Sequence, residues 1–345
     1  MSEFRIDQIK SQDATRGPDV AGITTFTGTS GIVMPSGDTA YRGGRGRGIA
    51  VSGYRGPGAS RSDNIDVLTI SSLGNSIEFG QTLSDSSMQL GANSSSTRMI
   101  FGGGSTPSPT HCRYIEISQT GTTMEFGNLT HNRRGCGCSS NGVRGFFSGG
   151  APTGNDLYID YVNIATKSDA ISFGELTLGR RQGAGLGSPT RGVFTGGYLL
   201  ASPYGRYNVI DYITMSSEGN AIDFGDITTI RSNSGAGSNS IRGFIPGGCT
   251  TNSTTNINTI DYLTITSKGD AQEFGDLSYT LHNAGVMPSA TRAVFAGGYS
   301  GSSSTNVISY VTITTLGDAA DFGDLTQARG IGNDGASSDS HGGLG

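Results

Sequence analysis

The sequence predicts an all-β fold, a β-propeller of six four-stranded blades preceded by a short N-terminal segment. Glycine supplies 57 of the 345 residues and disfavours helix throughout the chain. The pair Phe-Gly recurs at intervals of 47, 47, 51, 50 and 48 residues, a period typical of propeller blades. Its six phenylalanines are Phe79, Phe126, Phe173, Phe224, Phe274 and Phe322.

The first element of each repeat is a short apolar strand that begins with arginine and usually ends in Gly-Gly. Glycine pairs suit positions where neighbouring backbones approach closely. A planar guanidinium can bond several backbone carbonyls, so we interpret the recurrent arginines as scaffold that braces the blades. These strands begin at Arg47, Arg98, Arg144, Arg191, Arg242 and Arg292. A second recurrent set, seven residues after the phenylalanine of four pairs, comprises Arg133, Arg180, Arg231 and Arg329.

A β-hairpin follows the arginine-led strand. In the fifth copy, a β-branched stretch over residues 260–265 leads through Ser267-Lys268-Gly269-Asp270 to Phe274. Gly-Asn or Gly-Asp between two apolar runs is typical of a hairpin turn. We expect each phenylalanine of the Phe-Gly pairs to be buried between blades. The polar Gly/Ser segment that precedes the next arginine predicts a fourth strand, which completes a propeller blade.

The last repeat is incomplete. Eighteen residues after Phe322, where an arginine-led strand is expected, the chain has Ser340. Residues 47–54 match residues 191–198 in register and supply the missing piece. We therefore predict that residues 47–54 join the sheet of residues 307–314 and close the ring, which removes an exposed sheet edge. The predicted domains are an N-terminal attachment arm over residues 1–42 and the propeller over residues 43–345.

The glycine pairs, the tyrosine-bearing strand and the aromatic residue before the polar segment resemble the kelch-type β-propeller repeat. The resemblance covers about residues 43–345. Kelch repeats usually carry a tryptophan near the position of these Phe-Gly pairs, whereas this chain has none. The resemblance implies the fold and names no single activity, because one fold hosts many functions.

The arm lies outside the repeat and is too short to bury a core alone. Its Gly-bounded apolar runs are similar to the leader of structural proteins of tailed bacteriophages, especially cyanophages. The resemblance implies a non-enzymatic virion protein, assembled in the host cytoplasm and tail-associated or fibre-like. Its arm would dock on other virion proteins by adding strands to a partner's sheet edge, and its propeller would face a host glycan or protein. The apolar docking residues are Ile23, Phe26, Ile32 and Met34.

Two alternatives remain open. One is a head (capsid) decoration protein, and the other is a carbohydrate-binding or carbohydrate-active propeller. The loop after one Gly-Gly pair bears on both, since tyrosine and arginine are enriched at binding hot spots. Its candidate ligand-binding residues are Tyr198, Tyr204, Arg206 and Tyr207, although a loop of this kind also packs on a neighbouring blade.

Other motifs favour structure over chemistry. Asp223-Phe-Gly lacks the upstream lysine strand and His-Arg-Asp loop of kinases. The acids around the Phe-Gly pairs are not repeated in every blade, so we expect a solvated rim and no metal site. The four histidines show no catalytic spacing. We therefore predict no catalytic residue and no cofactor. A net charge of −5 without a basic block argues against nucleic-acid binding. No apolar run is long enough for membrane insertion.

Overall fold

The computed structural model describes residues 46–56, 61–82, 89–105, 110–150, 156–199, 205–251, 255–332 and 334–344. Within these ranges the chain forms six antiparallel four-stranded sheets and three two-stranded hairpins. This arrangement is a six-bladed β-propeller, as the repeat predicts. The predicted arm, with Ile23, Phe26, Ile32 and Met34, lies outside the described residues.

Each blade has an inner, a second, a third and an outer strand. From blade 1 to blade 6, the inner strands are Ala336–Ser338, Leu90–Ser94, Gly137–Ser140, Ala184–Gly187, Gly237–Ser238 and Gly285–Pro288. The second strands are Arg47–Tyr54, Arg98–Gly103, Arg144–Ser148, Arg191–Thr195, Arg242–Pro246 and Arg292–Ala296. The third strands are Arg61–Thr69, His111–Glu116, Tyr158–Asn163, Val209–Thr214, Thr259–Thr264 and Val307–Thr312. The outer strands are Ile77–Gln81, Met124–Asn128, Ile171–Glu175, Ile222–Asp226, Gln272–Asp276 and Ala320–Asp324.

Short elements join the strands of three blades. They are the hairpins Tyr198–Leu199 with Gly205–Arg206, Cys249–Thr251 with Thr255–Asn256, and Tyr299–Ser300 with Ser303–Ser304. A 3₁₀ helix over Gly342–Leu344 ends the described chain.

The N-terminal strand closes the ring with the C-terminal end of the chain. Arg47–Tyr54 lies between Arg61–Thr69 and Ala336–Ser338, with Ile49 opposite Val67 on one side and opposite Ser337 on the other. The two ends of the propeller therefore share one blade, and no blade is left open in the described chain.

The predicted partner of this strand was wrong. Val307–Thr312 pairs with Arg292–Ala296 and Ala320–Asp324, and not with residues 47–54. Each arginine-led strand belongs to the same blade as the Phe-Gly strand that follows it, so Arg47 opens blade 1 and not the last blade. In blades 2 to 6, the inner strand comes from the polar segment that precedes the arginine-led strand. In blade 1, the C-terminal strand Ala336–Ser338 takes this place.

The Phe-Gly pair forms the contact between neighbouring blades. All six phenylalanines are buried, and Phe224 packs edge-on against Tyr212 with ring centroids 5.9 Å apart. The Gly269 amide of the next blade donates to the Phe224 carbonyl at 2.9 Å. A Cβ at Gly225 would lie 2.6 Å from the Gly269 carbonyl oxygen, which no side chain tolerates. Glycine follows phenylalanine because two backbones meet there.

Truncating a Phe-Gly phenylalanine should destabilise the propeller strongly. Phe224 is 3% exposed within a cluster shared by blades 4 and 5, so we expect Phe224→Ala to lower the free energy of unfolding by about 3–5 kcal/mol. Ile222 on the same strand is 54% exposed, and Ile222→Ala should change the free energy of unfolding by less than about 0.5 kcal/mol. Denaturant unfolding measures both, and a loss below about 1 kcal/mol for Phe224→Ala would contradict the core role.

The arginines of the second strands connect every blade to the next. Each donates from Nη1 to a carbonyl at the end of the neighbour's third strand, over 2.6–3.1 Å. The donor and acceptor residues are Arg47 with Ile117, Arg98 with Ile164, Arg144 with Met215, Arg191 with Ile265, Arg242 with Ile313, and Arg292 with Ile70. Six equivalent bonds thus run around the whole ring and brace it.

A second set of arginines is buried between blades. Each pairs with an aspartate on the third strand of the next blade: Arg133 with Asp160, Arg180 with Asp211, Arg231 with Asp261, and Arg329 with Asp66. In these four junctions, the threonine four residues after the Phe donates to the same carboxylate, as Thr326 does to Asp66 at 2.6 Å. These arginines and aspartates are at most 2% exposed. The pairs therefore fix the angle between blades inside the core.

Candidate functional site

One face of the propeller holds the opening of its axis, which we call the mouth. Its edge consists of six backbone positions, one before each inner strand: Gln89, Gly135, Gln182, Asn233, Asn283 and Ile331. From Gly135 onward, each N–H donates to the carbonyl of the preceding position, over 2.6–3.0 Å. The second strands run towards this opening, so the Gly-Gly turns and the three short hairpins lie on the same side. We call that side the mouth face.

The edge of the mouth has left-handed backbone at polar residues. The φ angles are 62° at Gln89, 53° at Gln182, 59° at Asn233 and 57° at Asn283. Asparagine is enriched in this region, but glutamine is not, and glycine would adopt it without strain. Strained residues cluster at functional sites. Four carboxamides at positions that favour glycine therefore point to a role for their side chains.

Two arginines meet at one tyrosine on the mouth face. The guanidinium carbons of Arg181 and Arg206 lie 4.7 and 5.8 Å from the centroid of the Tyr198 ring. Arg181 donates to the Tyr198 hydroxyl from Nε at 2.5 Å and also from Nη2. Its Nη1 is buried and has no hydrogen-bond partner among the described residues. Neither arginine forms an ion pair with an acid in the described ranges.

Polar and aromatic contacts extend from these two arginines towards blades 5 and 6. Arg206 Nε donates to Ser232 Oγ at 2.9 Å, and Asn256 Nδ2 donates to the Tyr299 carbonyl at 3.2 Å. The His282 ring stacks on Tyr299 with centroids 5.3 Å apart. Burial, with a smaller effect of the Arg206 charge, lowers the pKa of His282 to about 4. His282 is therefore neutral near pH 7, and the positive charge of this region belongs to the arginines.

The structure brings together two of the four predicted ligand-binding residues. Tyr198 and Arg206 face each other in the first short hairpin. Tyr207 is half-buried and donates its N–H to the Gly197 carbonyl at 3.0 Å, while Tyr204 lies outside the described residues. The Arg206 contact with Ser232 also ties this loop to the chain that leads into blade 5, so the loop both packs and presents polar groups.

Sequence reasoning missed two residues of this cluster, Arg181 and His282. Both occupy the position after the seventh residue beyond a Phe-Gly phenylalanine, where other repeats have Arg134, Ser232 and Gly330. This position varies, whereas the preceding residue is buried in all five of these repeats and is arginine in four of them. The signal in the sequence was that a variable residue follows a buried position of the repeat. Such a residue is a candidate for binding, since binding sites on a ring need not repeat.

Inside the mouth, a buried carboxylate joins the C-terminal segment to blades 3 and 4. Asp334 is 4% exposed and accepts hydrogen bonds from the backbone amides of Cys138 at 2.6 Å and Gly185 at 2.9 Å. It lines an axial cavity of about 30 Å³, bordered by inner-strand residues of all six blades. Burial raises the pKa of Asp334 well above its ordinary range, against the effect of these amides. Asp334 holds the closing strand on the ring.

The opposite face of the axis is covered by the chain end. His341 Nε2 contacts the Ser94 carbonyl at 2.7 Å, and Gly343 N–H donates to His341 Nδ1 at 3.0 Å. The accepting Nδ1 places the ring proton on Nε2, which donates to Ser94. We call this side the plug face.

Acid should weaken the fold through His341. Burial lowers the pKa of His341 from 6.5 to about 4, so the neutral ring stabilises the fold above pH 6.5 and this contribution is lost as pH falls towards 4. The difference corresponds to about 3 kcal/mol. We expect His341→Gln to flatten the decrease in unfolding free energy between pH 6.5 and 4, although His282 titrates in the same window. An unchanged slope in denaturant titrations would contradict a buried neutral His341.

All four cysteines are free and buried, and burial raises the pKa of Cys249 to about 11. Over the described ranges, no group of three or more His, Cys, Asp or Glu side chains is placed to hold a metal ion. The same ranges contain no helix with the length and apolarity needed to span a bilayer.

A scan of the sequence against protein-family models finds no match, and a search of curated proteins finds none either.

Proposed function

We propose that this chain is a non-enzymatic component of a phage particle, in which the N-terminal arm docks on other virion proteins and the propeller faces outward to bind. The position that we propose is tail-associated or fibre-like. A head decoration protein shares the architecture and differs only in where the arm docks.

The observation that carries the proposal is that the ring is complete without the arm. Arg47–Tyr54 and Ala336–Ser338 close blade 1, so no strand from the first 45 residues is needed. Because the six sheets have all their strands without this segment, we propose that it serves a partner. Its Gly-bounded apolar runs suit addition to a sheet edge, which takes affinity from main-chain hydrogen bonds.

A carbohydrate-binding propeller is the second candidate, and the mouth face favours it. Arg181, Arg206 and the carboxamides of the mouth donate and accept hydrogen bonds as a sugar ligand requires. We propose that this face binds without catalysis.

The experiment deletes residues 1–40 and keeps residues 41–345. We expect the shortened protein to fold as the full chain does and to be lost from assembled particles. Mass spectrometry of purified particles measures its incorporation, with the full chain as the control. Normal incorporation of the shortened protein would refute docking by the arm and would favour a contact made by the propeller itself.

A further inference from the structure

We propose that the mouth face binds an acidic polysaccharide, with a carboxylate or sulfate group held between Arg181 and Arg206 and sugar hydroxyls held by the carboxamides of the mouth. The inference rests on the proposed binding role and adds the class of ligand.

The first step is the distribution of charge. Ten described arginines belong to the two scaffold sets, and Arg113 pairs with Glu125. The five that remain all lie on the mouth face: Arg55, Arg61, Arg134, Arg181 and Arg206. Exposed acids such as Glu78 and Asp223 lie along the outer strands, while Asp226 ends its outer strand at the mouth side, opposite Val209. A protein of net charge −5 therefore places these five guanidinium groups on one face, where they attract anions.

The second step is that neither arginine is paired with an acid. Both guanidinium carbons lie within 5.8 Å of the same ring centroid, and no described acid neutralises them. The Tyr198 hydroxyl accepts from Nε and Nη2 of Arg181, and the buried Nη1 has no hydrogen-bond partner among the described residues. A buried donor without a partner costs free energy, and a bound oxyanion removes that cost. Guanidinium groups bind carboxylates and sulfates with well-directed hydrogen bonds.

The third step separates polysaccharide from nucleic acid. Oδ1 of Asn233 and of Asn283 are buried and have no hydrogen-bond partner among the described residues. These oxygens accept hydrogen bonds, and sugar hydroxyls donate them, whereas a phosphodiester backbone offers acceptors only. A nucleic-acid site also needs an extended basic surface and stacking platforms. The Tyr198 ring is already covered by guanidinium groups, so the mouth fits a hydroxylated anion better.

The experiment measures binding of the full chain to polygalacturonate and to dextran sulfate, with neutral dextran, single-stranded DNA and free acetate as comparison probes. Calorimetry at low and at physiological salt gives the affinities. We expect binding to at least one acidic polysaccharide, no binding to neutral dextran, and an affinity for DNA and acetate at least tenfold weaker. The double variant Arg181→Gln/Arg206→Gln should lose at least tenfold, and Arg181→Lys/Arg206→Lys should recover part of this loss.

The matched control is Lys268→Gln, which removes a cation that lies 5.4 Å from the Tyr212 ring centroid, away from the mouth. It should leave the affinity unchanged. Equal losses in the control and the double variant, tighter binding of DNA, or no binding to either acidic polysaccharide would overturn the inference. Particle incorporation of the double variant is measured in parallel. Loss of incorporation with intact polysaccharide binding would count against the proposed arm, and not against this site.

Discussion

Deleting residues 1–55 should abolish folding of the propeller. The deletion removes Arg47–Tyr54, which lies between two strands of blade 1, and leaves Ala336–Ser338 without a partner. It also removes the Ser52 carbonyl that accepts from Arg329 Nε at 2.8 Å. The ring would then keep a gap and two free sheet edges, which promote aggregation. We expect loss of the cooperative thermal transition, measured by circular dichroism.

The control for this experiment is the deletion of residues 1–40, which spares blade 1. Its melting temperature should stay within about 2 °C of the full chain, a shift equivalent to less than about 1 kcal/mol for a domain of this size. A protein without residues 1–55 that melts at the temperature of the full chain would show that the ring does not depend on closure by this strand.

Breaking one buried ion pair should have the second large effect. Arg329 and Asp66 are at most 1% exposed, with Nη1 and Oδ2 3.2 Å apart, and burial lowers the pKa of Arg329. Replacing one partner leaves the other as an uncompensated buried charge. We expect Arg329→Leu to lower the free energy of unfolding by about 3–5 kcal/mol. Denaturant unfolding at pH 7 measures the loss.

The chain itself provides the rescue for this variant. Between blades 5 and 6, Leu281 occupies the arginine position and Ser309 the aspartate position, and both are buried. The double variant Arg329→Leu/Asp66→Ser copies this junction. It should recover at least half of the loss, because replacing a buried pair by matched neutral residues is close to neutral. A double variant as unstable as the sum of the single variants would contradict direct coupling of the two charges.

The fold was largely predictable from the sequence because its repeat is carried by local features. Phe-Gly and the arginine-led strand each have one environment in every blade, so their spacing predicts the sheets. The position along the chain at which one blade ends and the next begins was not predictable in the same way. A cyclic repeat has no marked start, and only the pairing of Arg47–Tyr54 with Ala336–Ser338 shows where the ring closes.

The candidate site was predictable only in part. Tyr198 and Arg206 stood out because their residue types suit binding. Arg181 was hidden beside the repeated Arg180, and nothing in its local sequence indicates that its guanidinium lies over Tyr198, 17 residues away. Asp334 was missed for the same reason, since its hydrogen-bond donors Cys138 and Gly185 are 196 and 149 residues distant.

The central claim is that the propeller presents its mouth face outward from a particle. Single cysteines at exposed serines test it directly: Ser302→Cys in the blade 6 hairpin on the mouth face, and Ser216→Cys in a turn on the plug face. The four native cysteines are buried, so they add little background to labelling by a bulky maleimide. In intact particles we predict rapid labelling at position 302, as fast as in the free protein. Protection at position 302 with rapid labelling at position 216 would contradict the account.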